Sequence, residues 1–272
     1  SADLFFGAPL ADADVHWKVT AQPYNFAPDG YSGYSFSDYH PYFEFDRGPS
    51  FESQEFLRGE GVGKTDAQGR FAFSLPADIS RDPISQTYIV EATVTDQNIQ
   101  SVATFIGVPV HKGDFYIGMR PRDYVSLAGS TSAVDLVTLD PEGAPAPGVP
   151  VQVSAYLRTW RTVRELDADG EQRYRSEPDD TLVQTINAST GGDGAGSFSF
   201  VPPRGGAYYL VAQATDSMGN EIKSSVFTWA SSPEYASWFI GNDDLIQLVA
   251  DKDEYRPGDT AKILVATPFT DS

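Results

Sequence analysis

The chain has 272 residues, enough for two ordinary domains, and carries a formal net charge of −19 with a pI near 4.3. Nucleic acid and anionic membrane surfaces are unfavourable partners for so acidic a chain, because they are bound by clustered Lys and Arg. The absence of cysteine excludes disulfides, Cys-ligated zinc and a thiol nucleophile within these residues. No apolar run approaches the length of a membrane-spanning helix, so direct membrane insertion is not expected.

Composition and alternation both favour strands. The 24 Gly and 19 Pro suit short strands joined by tight turns, and apolar residues recur at every second position in many segments. The sequence therefore predicts an all-β fold built of tandem antiparallel β-sandwiches, with about seven strands in each.

The first repeat begins with a turn at Gly7–Pro9 and an alternating strand at Val15–Val19. A long aromatic loop is predicted over Pro23–Gly59. Two further strands follow, at Gly69–Phe73 and Tyr88–Val94, and the second of these ends in a Thr-Asp turn.

The same order returns later in the chain. The turn recurs at Gly143–Pro145, an offset of 143 − 7 = 136; the next strand recurs at Gly196–Phe200, an offset of 196 − 69 = 127. The third recurs at Tyr208–Ala214, an offset of 208 − 88 = 120. Two opening strands, Phe115–Met119 and Ala133–Leu139, precede this second copy and have no counterpart ahead of the first.

Near the C-terminus the opening pair occurs once more, as Leu245–Val249 and Ala261–Val265 around a Pro-Gly turn. Three domains are therefore predicted. Residues 1–110 form a sandwich that lacks its first strands, residues 111–232 form a complete one, and residues 233–272 supply a linker and the opening strands of a third. A second long loop is expected over Thr162–Asp180.

Taken together, these motifs resemble the bacterial alpha-2-macroglobulin family, and the resemblance covers almost the whole chain. The residues that carry it are Phe5–Pro9 with Trp17, Thr65–Gly69, Thr93–Asp96, Phe115–Gly118, Asp251–Lys252, Tyr255–Ala261 and Thr267–Phe269. The resemblance implies macroglobulin-like, immunoglobulin-like sandwiches from the N-terminal half of a broad-spectrum endopeptidase inhibitor that traps target proteases after bait cleavage. It also implies a non-enzymatic scaffold role and a secreted or periplasmic, envelope-associated location. A bait segment and a Cys-containing thioester are not expected within this chain.

Candidate chemical sites are weak. Asp167, Asp169 and Glu171 could supply oxygen ligands to calcium, but the twelve-residue ligand pattern is missing and solvated turn acids are favoured. The histidines, His16, His40 and His111, are scattered, and no Gly-x-Ser-x-Gly elbow is present to position a nucleophile. No catalytic residue, metal site or cofactor is predicted.

The aromatic loop is the one candidate interaction site. Its predicted partner-binding residues are Tyr31, Tyr34, Phe36, Tyr39, Tyr42 and Phe43. Clustered aromatics can stack on sugars or anchor a protein, and they can equally fold back over the edge of a sandwich, which is the favoured interpretation. The alternative function is an adhesin or carbohydrate-binding array of Ig-like modules that binds through this loop.

One further expectation concerns assembly. If the first sandwich lacks its opening strands, it has an unpaired edge, and edges of this kind invite pairing. The stretch Leu245–Thr267 supplies strands of the missing type. It is therefore expected to dock on an exposed edge, with strand exchange between neighbouring chains as the suggested form.

Overall fold

The structure is a computed structural model that describes residues 2, 8–38, 56–166, 172–232, 247–250, 257–258, 260–261 and 263–266. All regular secondary-structure elements within these residues are β-strands, joined by turns and irregular segments. The predicted all-β sandwich fold is confirmed. The chain divides into two compact units, unit 1 (Ser1–Asn25 and Pro49–Lys112) and unit 2 (Phe26–Gly48 and Gly113–Ser272). The domain bounds expected from the repeats stay predictions.

Fourteen strands lie in the described residues. They are β1 (Asp14–Pro23), β2 (Phe56–Lys64), β3 (Gln86–Thr95), β4 (Ser101–Val110), β5 (Tyr116–Pro121), β6 (Val125–Leu127), β7 (Ser132–Leu139), β8 (Pro150–Leu166), β9 (Gln172–Ser189), β10 (Ala195–Phe200), β11 (Gly206–Thr215), β12 (Glu221–Ser231), β13 (Gln247–Ala250) and β14 (Ile263–Ala266).

Unit 1 contains one antiparallel sheet in the order β2-β1-β3-β4. Its apolar face carries Val19 and Ala21 of β1 and Tyr88 of β3, all buried. The segment after β2 packs over the β2–β1 half of this face, where Phe73 stacks on Trp17 at 4.0 Å between ring centroids. Glycines of β2 leave room for these rings, since a Cβ at position 63 would collide with Phe71.

Unit 2 is a two-layer sandwich. A five-stranded sheet, β6-β12-β11-β8-β9, carries an apolar face that packs on a three-stranded sheet, β10-β7-β5. Alternate residues of both sheets share one core, including Ile117 and Met119 of β5, Leu136 of β7, Val153 of β8 and Leu210 of β11. The short strand β6 runs parallel to β12, an exception to the predicted antiparallel pairing.

Two expectations from the sequence are wrong. Thr162–Asp180 is not a long loop, because β8 and β9 pair along their whole length as far as Leu166 and Gln172. The register continues through Arg161 opposite Glu177 to Leu166 opposite Gln172, so the backbone N–H and C=O groups of this stretch find partners across the strand pair. The stretch Arg70–Phe73 is not a strand, whereas its counterpart β10 is one because β7 pairs with it.

Four turns share one hydrogen-bond pattern, in which an aspartate carboxylate accepts from the backbone N–H groups two and four residues on. They begin at Asp66, Asp96, Asp140 and Asp216. In three of them the fourth residue is a glycine at positive φ: Gly69 at 69°, Gly143 at 86° and Gly219 at 88°. The turn after β3 has Ile99 there instead, at a φ of 65°. A β-branched residue at such a φ is strained.

We therefore expect Ile99→Gly to stabilise unit 1 by about 1 kcal/mol, because glycine adopts the left-handed conformation without a Cβ clash. Thermal unfolding, with hydrogen exchange of β3 and β4 peptides to assign the effect to unit 1, measures the change. Gly219→Ala is the matched control: nothing lies within 4 Å of its Cβ position, so the cost of about 1 kcal/mol should come from backbone strain alone. No gain from Ile99→Gly would contradict the strain argument.

Candidate interaction surface on the second sandwich

Part of the predicted aromatic loop belongs to unit 2, and its described portion, Phe26–Asp38, is here called the strap. The strap forms an isolated bridge with β5: Ser35 N–H donates to Met119 O at 2.9 Å, and Met119 N–H donates to Ser35 O at 3.0 Å. It thereby extends the three-stranded sheet beyond its edge strand.

The strap also bonds to the five-stranded sheet. Ser224 Oγ of β12 donates to Ser35 O at 2.9 Å, and Ser225 N–H donates to Ser37 O at 3.1 Å. The Tyr209 hydroxyl of β11 donates to Asp38 Oδ1 at 2.7 Å. Because it is bonded to both layers, the strap closes the side of the sandwich between β5 and β12.

Aromatic rings fix the strap in place. Phe26 stacks on Tyr116 of β5 with 3.9 Å between ring centroids, and Phe36 meets Phe26 edge to face at 5.2 Å. Phe36 is only 6% exposed and lies over Gly118, where a Cβ would collide with its ring. The glycine of β5 therefore provides the space that the strap occupies.

The predicted partner-binding residues fall into three groups. Phe36 is buried against β5, whereas Tyr31 and Tyr34 are half-buried and form an edge-to-face pair at 5.8 Å. The remaining three, Tyr39, Tyr42 and Phe43, lie outside the described residues. Partner binding by this group stays a prediction; of the described members, Tyr31 and Tyr34 are the ones whose side chains are partly exposed.

A charged network supports the exposed side of the strap. The Arg120 guanidinium lies over the Tyr34 ring, 4.5 Å from its centroid, and its Nη2 donates to Asp135 at 2.9 Å. Arg122 Nε donates to the same carboxylate at 2.8 Å. Partial burial alone would raise the pKa of Asp135, but the hydrogen bonds from Arg122 and Arg120 outweigh it and lower that pKa from its ordinary value.

Sequence reasoning missed a second cluster, on the outer face of the five-stranded sheet. Arg158 is buried there and holds Asp180 through two hydrogen bonds of 2.6 Å. Its guanidinium lies over the rings of Tyr209, at 4.5 Å, and Phe227, at 5.2 Å. Burial raises the pKa of Tyr209. Its hydroxyl therefore stays protonated and donates a hydrogen bond to Asp38. The sequence gives one signal of this cluster. In β8 the apolar and polar residues alternate as Val-Gln-Val-Ser-Ala-Tyr-Leu-Arg, and this alternation places Arg158 on the outer face of the sheet.

The described contacts hold the strap against both sheets of unit 2. Among the described residues, no group of three or more His, Cys, Asp or Glu side chains is placed to bind a metal ion. His16 is exposed on β1 and His111 packs edge to face on Tyr24, while His40, Asp167, Asp169 and Glu171 are outside the described residues. In the described part of the chain, no helix has the length and apolar character needed to cross a bilayer.

The all-β, two-layer fold is that of a macroglobulin-like sandwich, and comparison with known proteins gives the same class. No protein-family model matches the chain. An alpha-2-macroglobulin homolog of Nostoc sp. strain PCC 7120 is 23% identical over 277 residues, which cover 100% of this chain and 14% of the relative. Alpha-2-macroglobulin of Escherichia coli K12 is 32% identical over 153 residues, covering 52% of this chain and 8% of that protein. The chain thus spans at most about a seventh of these relatives.

Solved structures agree with the fold. The native conformation of E. coli alpha-2-macroglobulin superposes with a TM-score of 0.61 at 22% identity, covering 98% of this chain and 17% of that one. Salmonella alpha-2-macroglobulin reacted with methylamine gives 0.59 at 20% identity, covering 97% and 17%. E. coli alpha-2-macroglobulin activated by porcine elastase gives 0.59 at 21%, covering 90% and 20%. These likenesses confirm the predicted resemblance: the chain is a macroglobulin-like segment similar to bacterial alpha-2-macroglobulins.

We expect Phe36→Ala to destabilise unit 2 by about 3 kcal/mol, because it opens a cavity between the strap and Gly118. Thermal unfolding gives the loss, and faster hydrogen exchange in β5 locates it. Tyr31→Ala is the control and should cost less than about 1 kcal/mol, since that ring is already half exposed. Equal losses for the two variants would contradict the packing described for Phe36.

The pair of arginines on Asp135 predicts a pH dependence. Since the folded pKa of this carboxyl is lowered, its contribution to stability is present above about pH 4 and is lost as the pH falls through the lowered value. The hydrogen-exchange protection factors of β5 and β7, which are corrected for the intrinsic pH dependence of amide exchange, should therefore fall on acidification, and less so in Asp135→Asn, which has no charge to lose. An unchanged acid response in that variant would show that other groups control it.

Proposed function

We propose that this chain is a non-enzymatic structural segment of a bacterial protease-trapping inhibitor that is secreted or periplasmic and associated with the cell envelope. Target proteases are its proposed partners, met through the larger protein. The observation that carries the proposal is likeness along the entire chain: the Nostoc alpha-2-macroglobulin homolog aligns with 100% of it.

Two solved relatives support a protease partner. One structure is of E. coli alpha-2-macroglobulin activated by porcine elastase, and another is of the trypsin-activated protein, with a TM-score of 0.55 to this chain. In the proposed mechanism, cleavage of a bait elsewhere in the protein triggers a rearrangement of its domains. Sandwiches such as unit 2 move as rigid bodies during this rearrangement.

The path of the chain suits such a mechanical role. It passes from one unit to the other after Asn25, after Gly48 and after Lys112. The strap begins directly after the first of these passages and is bonded into both layers of unit 2. Under this proposal, a displacement of unit 2 pulls on β1, because only Tyr24 and Asn25 separate that strand from the strap.

Chemical capture, where the parent protein uses it, must involve other residues. An internal thioester needs a cysteine, and these 272 residues contain none. Under this proposal the bait and any thioester belong to other parts of the parent protein, and this segment contributes support and motion.

The test uses the whole protein encoded by the parent gene. After incubation with elastase or trypsin, the protease should lose activity toward a large protein substrate but keep it toward a small peptide substrate, because enclosure excludes only the large one. Phe36→Asp, which expels the strap anchor, should weaken this size selectivity while bait cleavage continues on gels. Tyr31→Ala is the matched variant that leaves the anchor in place.

Full activity of the protease on both substrates after bait cleavage would refute the proposal.

A glycan array tests the alternative function, an adhesin or carbohydrate-binding array. Selective sugar binding that is abolished by Tyr39→Ala plus Tyr42→Ala would favour carbohydrate recognition over protease trapping.

A further inference from the structure

The chain passes from unit 1 to unit 2 at two neighbouring points. Strands β1 and β4 pair on either side of β3 and end beside its first residue, since Pro23 and Val110 both face Gln86. Two strands with one strand between them lie about 10 Å apart. The passages after Asn25 and after Lys112 therefore leave the same end of the sheet, separated by about 10 Å.

Ser85 binds both passages on the unit 1 side. It lies just ahead of β3 and is 3% exposed. Its carbonyl oxygen accepts from Tyr24 N–H at 2.9 Å, and its Oγ accepts from Lys112 N–H, also at 2.9 Å. The Tyr24 ring packs edge to face on His111, with 5.4 Å between ring centroids. The ends of both passages are thereby joined to each other and to the sheet.

The Lys112 side chain adds a second anchor. Its Nζ donates to the backbone oxygens of Ile79 at 3.2 Å and Ser80 at 2.9 Å, in the irregular segment before β3. Both the backbone N–H and the ammonium group of this residue are thus bonded within unit 1. Lys112 is fixed to unit 1 up to the bond that joins it to Gly113.

Both passages enter unit 2 at the start of β5. Phe26 is 6% exposed and stacks on Tyr116, the first residue of β5, with 3.9 Å between ring centroids. Gly113 comes shortly before the same strand and has no room for a side chain. A Cβ there would come within 2.3 Å of Ile222 Cδ1 and 2.7 Å of Asp216 Oδ2. Each passage is therefore packed into unit 2 as soon as it arrives.

Very little chain is left between the two sets of contacts. In the first passage only Asn25, an exposed residue, separates Tyr24 from Phe26. In the second passage a single peptide bond joins Lys112 to Gly113. Neither connection has slack, whereas a flexible linker would have several unbound residues at this position.

We propose that these two short passages form a paired hinge, about which unit 1 and unit 2 move as bodies. Two connections about 10 Å apart resist twisting, because twisting lengthens both paths and neither has residues to spare. Bending about the line through Asn25 and the Lys112–Gly113 bond needs only changes in their backbone torsions. The pair restricts the motion to one axis. The use of this motion in protease trapping rests on the proposed function, but the hinge itself does not.

Spin labels measure the motion, and because the chain has no native cysteine the labelling is specific. Thr104→Cys in unit 1 and Gln152→Cys in unit 2 place labels at exposed strand positions, and double electron–electron resonance gives the distribution of distances between them. Three glycines inserted between Lys112 and Gly113 give that connection about 10 Å of play. Because twisting is then free, the distribution should widen by several ångströms.

The same insertion after Asn25 should widen the distribution as well, because both connections are needed to prevent twisting. Three glycines inserted between Gly191 and Gly192 are the matched control. These residues form an exposed turn within unit 2, so the width should stay as in the chain without an insertion. Hydrogen-exchange protection of β3 and β11 shows that both units stay folded in each variant.

Two outcomes would overturn the proposal. An unchanged width after either hinge insertion would show that another restraint, such as the return passage between Gly48 and Pro49 outside the described residues, limits the motion. Equal widening in the control would show general loosening of the chain. No protease takes part in these measurements, so failure of the hinge is distinguishable from failure of the proposed function.

Discussion

The organisation of this protein depends on one requirement: a β-sheet with one apolar face is stable only when a second layer covers that face. In unit 2 the three-stranded sheet meets the requirement, and residues such as Ile117, Leu136 and Leu210 are fully buried between the layers. Unit 1 has the same sheet plan but a shorter cover, made of the irregular segment that carries Phe71 and Phe73. Its edge strand β4 is correspondingly exposed.

The strap meets a related requirement at the open side of the sandwich. Between β5 and β12 the backbone groups of Met119 and Ser225 need partners, and Ser35 and Ser37 supply them. Small residues make this possible: Gly118 leaves space for Phe36, and Ser224 adds a hydrogen bond instead of bulk. The strap is thus part of the sandwich although it comes from far away in sequence.

Much of this could be predicted from the sequence, because the evidence was local. The alternation of apolar and polar residues indicates the strands, and the aspartate turns indicate where strands end. The sequence offset of 120 between Tyr88 and Tyr208 also holds for β4 and β12. One error, the loop predicted at Thr162–Asp180, concerns two neighbouring strands that pair further than expected, and the other concerns an element whose state depends on a distant partner. Arg70–Phe73 has the alternation of a strand but lacks the partner that β7 gives to β10, and no local signal reports that. The buried Arg158 depends on Tyr209, Phe227 and Asp180, which the sheet brings together.

The four aspartate turns have a practical consequence for engineering. Each spans five residues, and its aspartate carboxylate accepts from two backbone N–H groups of the same turn, as Asp216 does from Met218 and Asn220. The bonds from the backbone N–H groups two and four residues on are the same in all four turns, so the pentapeptides are exchangeable as turns, although the Asp216 carboxylate also accepts from Asp114 N–H at 3.3 Å. Grafting Asp216–Asn220 in place of Asp96–Gln100 would preserve strand spacing, and a peptide tag or fluorophore site introduced in one turn could be moved to any of the other three.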